Sequence, residues 1–211
     1  MGTISKGILG GFSGKVGTVI GGTWKGIDYM RSQSGKRTFI ASPAQLAQQM
    51  KFALVMKFLQ PMAALLDFTF RDFAVKMTGM NSAFAYTIKN AVTGSYPAFA
   101  IAYPQVLVSR GDLPNVLGPS VVSGAGSTLT FSWTDNSGVG SAANTDEALL
   151  VAYYPAMQQA IYGGNATRGS LTGDLNCSTF AGQVVETYIS FAAVNGRNMA
   201  TSIYTGQVTV S

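Results

Sequence analysis

The alternation of apolar and polar residues changes period along the chain and divides it into three parts. The first, residues 1–40, has short period-2 patterns at 16–20 and 27–29, separated by Gly21-Gly22. Such patterns predict a glycine-rich β-hairpin. Glycine weakens strands entropically and leaves little side chain to pack. We therefore expect this arm to need another surface, from its own chain or a neighbour's, to complete it.

The second part, residues 41–97, has helical periodicity. Ser42 can cap a helix with Pro43 at its first position and Gln45 where a capping box needs it. The first turns have one apolar face, and from Phe52 onward apolar residues surround the axis, which is typical of a helix buried on several sides, in a bundle or an assembly. The helical residues expected to pack in a core or form an interface are Leu46, Met50, Phe52, Leu54 and Phe58.

Two further features complete this helical part. Pro61 is expected to kink or restart the helix, which continues over residues 62–77. Asn81 or Ser82 is expected to cap another helix that runs to about Val92. The sequence thus predicts a short, mainly helical segment before the period changes.

The third part, residues 98–211, alternates with the period of strands. Patterns at residues 106–108, 129–133, 149–153, 185–191 and 204–210 are separated by turn clusters. Many short strands favour an antiparallel β-sandwich. A tryptophan on a central strand and a final hairpin across Asn195-Gly196 indicate an immunoglobulin or fibronectin type III-like arrangement without a disulfide pair. The predicted fold class is therefore α+β, with an arm, a helical segment and a sandwich.

Charge is scarce and unevenly placed. Only 11% of residues are charged, whereas soluble domains usually carry roughly 25%. Up to Arg110, twelve basic and three acidic residues give +9, and beyond it two basic and six acidic residues give −4. The basic end can serve a nucleic acid or an acidic surface, or copies of the chain can stack basic end to acidic end. Basic residues that merely solvate a helical half are the simpler alternative.

The residue types needed for several common chemistries are missing. Histidine is absent and Cys177 is the single cysteine, which excludes disulfides within one chain, Cys/His zinc sites and histidine-based triads. The glycine-rich segment near the N-terminus is not a phosphate-binding loop, because Leu9 stands where its first glycine should be and Val16 where it needs Ser or Thr. We expect no metal and no cofactor.

Paired carboxylates for acid–base catalysis are not indicated either. Asp67 and Asp72 are five residues apart, which places them on different faces of a helix. Asp146 and Glu147 are neighbours at the start of a strand and point to opposite faces. We therefore expect no catalytic residues and no enzymatic activity.

Cations and aromatic residues mix around residues 24–31, as they do on nucleic-acid-binding surfaces. Hairpins show this mixture by chance, and no known nucleic-acid-binding motif frames it. Tyr153, Tyr154 and Tyr204 are similarly open to two interpretations, a carbohydrate platform or packing in the core and at a sheet edge. The basic surface consists of Lys15, Lys25, Arg31, Lys36 and Arg37.

No export or membrane segment is expected. The apolar patch near the N-terminus is too short and too rich in glycine for a secretory signal. Uncharged stretches at residues 90–109, 113–134 and 148–167 contain proline and polar groups, which argues against membrane-spanning helices. The cytoplasm is the default location, and release from the cell by an unusual route stays open.

Several short sequence words follow one another in a fixed order, at residues 10–19 (GGFSGKVGTV), 24–26 (WKG), 30–31 (MR), 43–52, 89–97, 108–113 and 131–135. Together they resemble an uncharacterised family of Bacteroidota proteins. The resemblance spans nearly the whole chain, although Gln49-Met50 stands where the family is expected to have arginine. It implies a bacterial source and supplies no activity, substrate or catalytic residue.

The sequence favours a non-enzymatic structural subunit that self-associates into a filament, tube or similar repeating assembly. The glycine-rich arm, the apolar helices and the divided charge together favour head-to-tail contacts between copies. The alternative is a nucleic-acid-associated, phage-derived protein that uses the basic half, and a third hypothesis is a glycan-binding adhesion module. The expected assembly residues of the arm are Phe12, Val16, Val19, Ile20, Trp24, Ile27 and Tyr29.

Overall fold

Two units make up the chain, Met1–Ser42 and Pro43–Ser211. The structure, a computed structural model, describes residues 2–4, 7, 10–35 and 40–211. Helices and sandwich belong to the same, second unit, and each unit is described by itself below.

The N-terminal unit is a four-stranded antiparallel meander with its strands in chain order. Gly17, with φ +60°, opens the turn between the second and third strands, and Lys25 and Gly26, both with positive φ, form the next turn. Turns of this kind match the twist of the flanking strands. The strands are β1 (Thr3–Ile4), β2 (Phe12–Val16), β3 (Val19–Trp24) and β4 (Ile27–Ser32).

The predicted hairpin in this unit is confirmed, but its turn is not at Gly21-Gly22, which lies inside β3. A Cβ atom on Gly21 would lie 2.1 Å from the Phe12 carbonyl oxygen. Glycine at position 21 is therefore required by a close approach of backbone rather than by a turn.

The helical part of the second unit begins at Pro43, as the capping pattern predicts, with α1 (Pro43–Leu59). Pro61 lies in a 3₁₀ turn (Gln60–Met62), after which the helix restarts as α2 (Ala63–Thr69). The expected continuation through residue 77 is wrong, because a second 3₁₀ turn (Arg71–Phe73) follows.

The third helix, α3 (Gly79–Asn90), begins earlier than predicted. Its N-cap is Thr78, whose hydroxyl accepts a hydrogen bond from the Asn81 amide at 3.2 Å. Gly79 permits this start, because a Cβ atom there would lie 2.5 Å from the Leu66 carbonyl oxygen.

A short hairpin of β5 (Val92–Ser95) and β6 (Ala98–Ile101) follows α3 and was not predicted. Its Gly94, with φ +87°, lies within β5 opposite Phe99, where a Cβ atom would be 2.2 Å from the Ala98 carbonyl oxygen. The prediction of a strand at residues 106–108 is wrong, since Val108 pairs with no β-strand. Its carbonyl accepts from the Thr69 hydroxyl and its amide donates to Ser202 Oγ.

The predicted sandwich is confirmed, with antiparallel sheets of order β10-β9-β12-β13 and β11-β8-β7. Trp133 lies on the central strand of the smaller sheet, and β12 and β13 pair across Asn195-Gly196 as expected. The seven strands are β7 (Leu117–Gly124), β8 (Thr128–Thr134), β9 (Glu147–Tyr154), β10 (Gln159–Gly163), β11 (Thr172–Asn176), β12 (Val184–Ala192) and β13 (Ile203–Thr209).

Two apolar cores make the second unit three layers deep. Leu150 and Ile189 belong to the core between the two sheets. Their neighbours Val151 and Tyr188 point to the other side of the same strands and pack with the helices. Strands β9 and β12 are thus covered on both faces, so the helices and the sandwich share one folded body.

Candidate assembly surface

The register of the N-terminal sheet sorts its side chains between two faces. Trp24 is opposite Ile27, Gly22 is opposite Tyr29, and Ile20 is opposite both Lys15 and Arg31. Directly opposite residues on antiparallel strands lie on the same face. One face therefore presents a set that we call the Trp24 face, consisting of Lys15, Ile20, Trp24, Ile27, Tyr29 and Arg31.

The apolar members of the Trp24 face are open to solvent. Trp24, Ile27 and Tyr29 are 56%, 64% and 47% exposed. The Tyr29 ring lies over Gly22, where a Cβ atom would be 3.0 Å from the tyrosine oxygen. The glycine thus makes room for the ring and widens an apolar surface across β3 and β4.

The cations of this face flank Ile20 on either side. Lys15 and Arg31 are exposed, and neither makes an ion pair within the described residues. Asp28 lies on the opposite face, where its carboxylate accepts a hydrogen bond from the Thr23 hydroxyl. The Trp24 face is therefore both apolar and positively charged.

Of the remaining predicted basic residues, Lys25 lies in the β3–β4 turn and not on a strand. Lys36 and Arg37 fall outside the described residues. Six basic residues and one acid give residues 1–42 a charge of +5, whereas residues 43–211 carry eight of each sign. The net charge of the chain thus resides in the N-terminal unit.

The opposite face carries the other predicted arm residues. Phe12 is half-buried over Gly21, while Val16 and Val19 are 54% and 38% exposed. Met30, which was not among the predicted arm residues, lies on this face as well and is exposed. Within the described part of this unit, Gly21 is the only buried residue. The sheet therefore lacks a core of its own.

One edge of the sheet is also unpaired. All six residues of β4 are exposed, and β4 pairs only with β3 in the described part of the unit. An edge strand offers a row of free amide and carbonyl groups to a further strand. Both a face and an edge of the sheet are thus available for association.

The helical residues predicted to pack or to form an interface divide into two groups. Phe58 is buried, with ring centroids 4.7 Å from Tyr153, and Leu54 is half-buried. Leu46, Met50 and Phe52 are 37%, 40% and 53% exposed. The C-terminal half of α1 thus packs in the core, while its first turns extend past it, and burial of their apolar residues in an assembly stays a prediction.

The tyrosines considered for a carbohydrate platform do not share a surface. Tyr153 is buried in the core, and this burial raises its pKa. Tyr154 donates to the Gln183 side chain at 2.6 Å, and Tyr204 donates to the Glu186 carboxylate. Burial and then that carboxylate raise the pKa of Tyr204. Packing accounts for all three.

A buried ion pair in the sandwich was missed by sequence reasoning. Arg168 is fully buried, and its Nε lies 3.0 Å from Asp146 Oδ2. In the sequence, Asp146 is notable only as the acidic neighbour of Glu147, and Arg168 only as one of two basic residues beyond Arg110. The two are 22 residues apart, and no local pattern relates them.

Two general properties of the described residues concern metal binding and membranes. No group of three or more Cys, Asp or Glu side chains could hold a metal ion there. The helical stretch Pro43–Thr69 is long and apolar enough to cross a membrane by length and composition alone, with a mean hydropathy of 1.3. A core helix passes the same test, and part of this stretch packs in the core described above.

Comparison with known proteins identifies a family without assigning an activity. The sequence model of a Family of unknown function (DUF6266) matches residues 11–206. The solution structure of the fn3 domain of human collagen alpha-1(XX) chain is similar to part of this chain, with a TM-score of 0.33 and 13% identity over 49% of this chain and 91% of that domain. No curated protein matches the chain.

Proposed function

The chain belongs to this family of unknown function, and we propose that it is a non-enzymatic structural subunit that self-associates into a filament, tube or similar repeating assembly through its N-terminal sheet. The observation that carries the proposal is a four-stranded sheet with one buried residue in its described part. An isolated sheet without a packed face is at best marginally stable in water. A second copy supplies the missing cover. The words GGFSGKVGTV, WKG and MR support a Bacteroidota source.

The exposed side chains set the scale of the association energy. Full burial of a large apolar side chain contributes roughly 1.5–3 kcal/mol. Because Trp24, Ile27 and Tyr29 are only about half exposed, burying the rest of them supplies roughly 2.5–5 kcal/mol, while association costs roughly 4–15 kcal/mol. The Trp24 face alone is therefore borderline, and strand pairing along β4 is the natural additional contribution.

The completeness of the sandwich limits how a neighbour can bind. All seven strands are paired within the chain, so an incoming arm has no missing strand to replace. It must add to an edge or pack on a face. Three basic and six acidic residues give residues 98–211 a charge of −3. Electrostatic attraction between the N-terminal unit of one copy, with a charge of +5, and the acidic sandwich of the next copy favours a head-to-tail arrangement of the copies.

A double substitution on the Trp24 face tests the proposal. Ile27→Thr with Tyr29→Thr keeps residues suited to strands but removes two of the three large exposed apolar side chains of this face. We expect wild-type protein to form polymers by sedimentation velocity and negative-stain electron microscopy, and the double variant to remain monomeric. Val122→Thr, at an exposed position of β7, is the matched control and should assemble normally. A wild-type chain that stays monomeric at high concentration would refute self-association.

Nucleic-acid binding is the second candidate, since the register brings Trp24 and Tyr29 onto the same face as Lys15 and Arg31. Aromatic rings stack on bases for roughly 1–3 kcal/mol each, while cations follow the phosphates. Fluorescence anisotropy with single-stranded DNA and RNA should then give an affinity that falls steeply between about 50 and about 200 mM salt, because bound phosphates release their counterions. Nuclease-treated protein that binds neither at low salt would remove this candidate.

A further inference from the structure

The connection between the β5–β6 hairpin and the sandwich holds Arg110 on a fixed backbone. On one side, Ser109 and Ser202 are joined by two hydrogen bonds, from the Ser109 amide to Ser202 Oγ and from the Ser202 amide to the Ser109 carbonyl. On the other side, Gly111 passes so close to Met199 that a Cβ atom would lie 1.9 Å from its carbonyl oxygen. Arg110 is thus presented from a rigid position.

Two aromatic rings hold the Arg110 side chain. Its guanidinium carbon lies 4.3 Å from the ring centroid of Phe73 and 5.9 Å from that of Tyr86. Rings stacked on a guanidinium cover its flat faces and leave its N–H groups free to donate in the plane. The side chain is therefore oriented without being neutralised.

The guanidinium N–H groups of Arg110 have no acceptor within the part of the chain that the structure describes, whereas its backbone amide donates to the Thr69 carbonyl. Two other arginines of this unit differ. Arg168 bonds to Asp146, Asn136 and a backbone carbonyl, and Arg71 donates to a carbonyl and pairs with a carboxylate. Since arginine is always charged, the guanidinium of the half-buried Arg110 keeps its donors available to a ligand.

A groove opens beside this guanidinium at the C-terminal end of α3. Its volume is about 410 Å³, within the range of roughly 300–1,000 Å³ typical of small-molecule sites. Tyr86 and Lys89 line it from one face of the helix, and Arg110 and Phe73 line it from the other side. No acidic side chain lines the groove. Two cations therefore face a polar and aromatic hollow without a counter-charge.

We propose that this groove binds an oxyanion, the phosphate or carboxylate group of a small molecule. Arg110 supplies a planar pair of donors that matches two oxygens of such a group, and Lys89 supplies a second positive charge. Phe73 and Met77 give the rest of the molecule an apolar wall. The site lies entirely in the second unit and does not depend on the function proposed for the N-terminal sheet.

Thermal unfolding of the full chain tests the site with inorganic phosphate and with acetate, each against chloride at equal ionic strength. A ligand at ten times its Kd should raise the Tm of a chain this long by about 4 °C. Phosphate also stabilises proteins without binding, so the informative quantity is the difference between variants. Arg110→Met should lose the specific increase, and Lys89→Met should reduce it. The anion with the larger effect identifies the class of ligand.

Arg197→Met is the matched control, because Arg197 is an exposed arginine outside the groove. It should keep the wild-type increase in Tm. Lys89→Met changes only an exposed side chain, so it tests the site even where Arg110→Met fails to fold. The proposal is overturned if neither anion raises the wild-type Tm above chloride, or if Lys89→Met and Arg197→Met respond alike.

Discussion

Replacing Asp146 by asparagine keeps the shape of a buried side chain but removes the charge that balances Arg168. The guanidinium of Arg168 is enclosed on every side. Its Nε lies 3.0 Å from Asp146, its Nη2 donates to the Pro114 carbonyl at 3.0 Å, its Nη1 donates to Asn136, and its central carbon lies 4.0 Å from the ring centroid of Phe191. Water cannot replace the lost carboxylate without opening the sandwich.

The magnitude follows from this burial. Removing one partner of a buried ion pair costs about 3–5 kcal/mol, because the other charge is left uncompensated. With a urea m value of about 2 kcal/mol/M, Asp146→Asn should lower the unfolding midpoint by about 2 M. Arg168→Met should act similarly. The double variant should recover part of the loss, since it leaves no unpaired charge and the two effects are not additive.

Urea unfolding followed by tryptophan fluorescence and circular dichroism measures these midpoints. The matched control is Asp72→Asn, whose carboxylate pairs with Arg71 at 3.6 Å with both side chains about half exposed. Exposed pairs contribute about 0–1 kcal/mol, so its midpoint should move by less than about 0.5 M. The reasoning is refuted if Asp146→Asn and Asp72→Asn shift the midpoint equally.

Three further predictions concern the second unit. Gly111→Ala should destabilise the chain by more than about 1 kcal/mol, as other close-packing clashes do, because the new methyl group meets the Met199 carbonyl. Gly124→Ala, where a Cβ atom would make only contacts of 3.4 Å or more, is the control in the same unit and should change stability by less than about 0.5 kcal/mol in the same urea assay. Burial raises the pKa of the Cys177 thiol to about 11, whereas the thiol of an unfolded chain has a pKa of about 8.5. Because the thiolate is the reactive form, a thiol reagent at about pH 8 should label folded protein at least ~100-fold more slowly than unfolded protein. Burial also raises the pKa of the Tyr188 hydroxyl well above its usual range. The neutral Tyr188 side chain should therefore stabilise the fold fully below about pH 10, and this stabilisation should be lost as the pH rises further. Absorbance at the tyrosinate band and circular dichroism can follow ionisation and unfolding together.

Local signals explain which elements the sequence could predict. Helix α1 begins where Pro43 places it, because the start depends on neighbouring residues alone. Strand β8 alternates strictly, with Leu129, Phe131 and Trp133 buried. The edge strand β11 alternates as strictly, but one of its two buried positions is Gly173, which gives no apolar signal. Only the fold brings its backbone beside β8.

The faces of the N-terminal sheet could not be predicted for a different reason. Which residues share a face depends on register, and register depends on where the turns fall. The turns at Gly17 and at Lys25-Gly26, rather than at Gly21-Gly22, bring Lys15 and Arg31 beside Ile20. The sequence therefore identified the residue types of the candidate surface but not their grouping.

That grouping also relates the two candidate functions to each other. Self-association and nucleic-acid binding would both use the Trp24 face, so one subunit cannot do both with the same surface. The positive charge separates them. Copies that stack sheet against sheet would bring two units of +5 together, which costs energy, whereas a sheet set against the −3 sandwich of the next copy lowers it. An assembly built on this face is therefore favoured as a head-to-tail array, with the unpaired edge of β4 available to extend the contact.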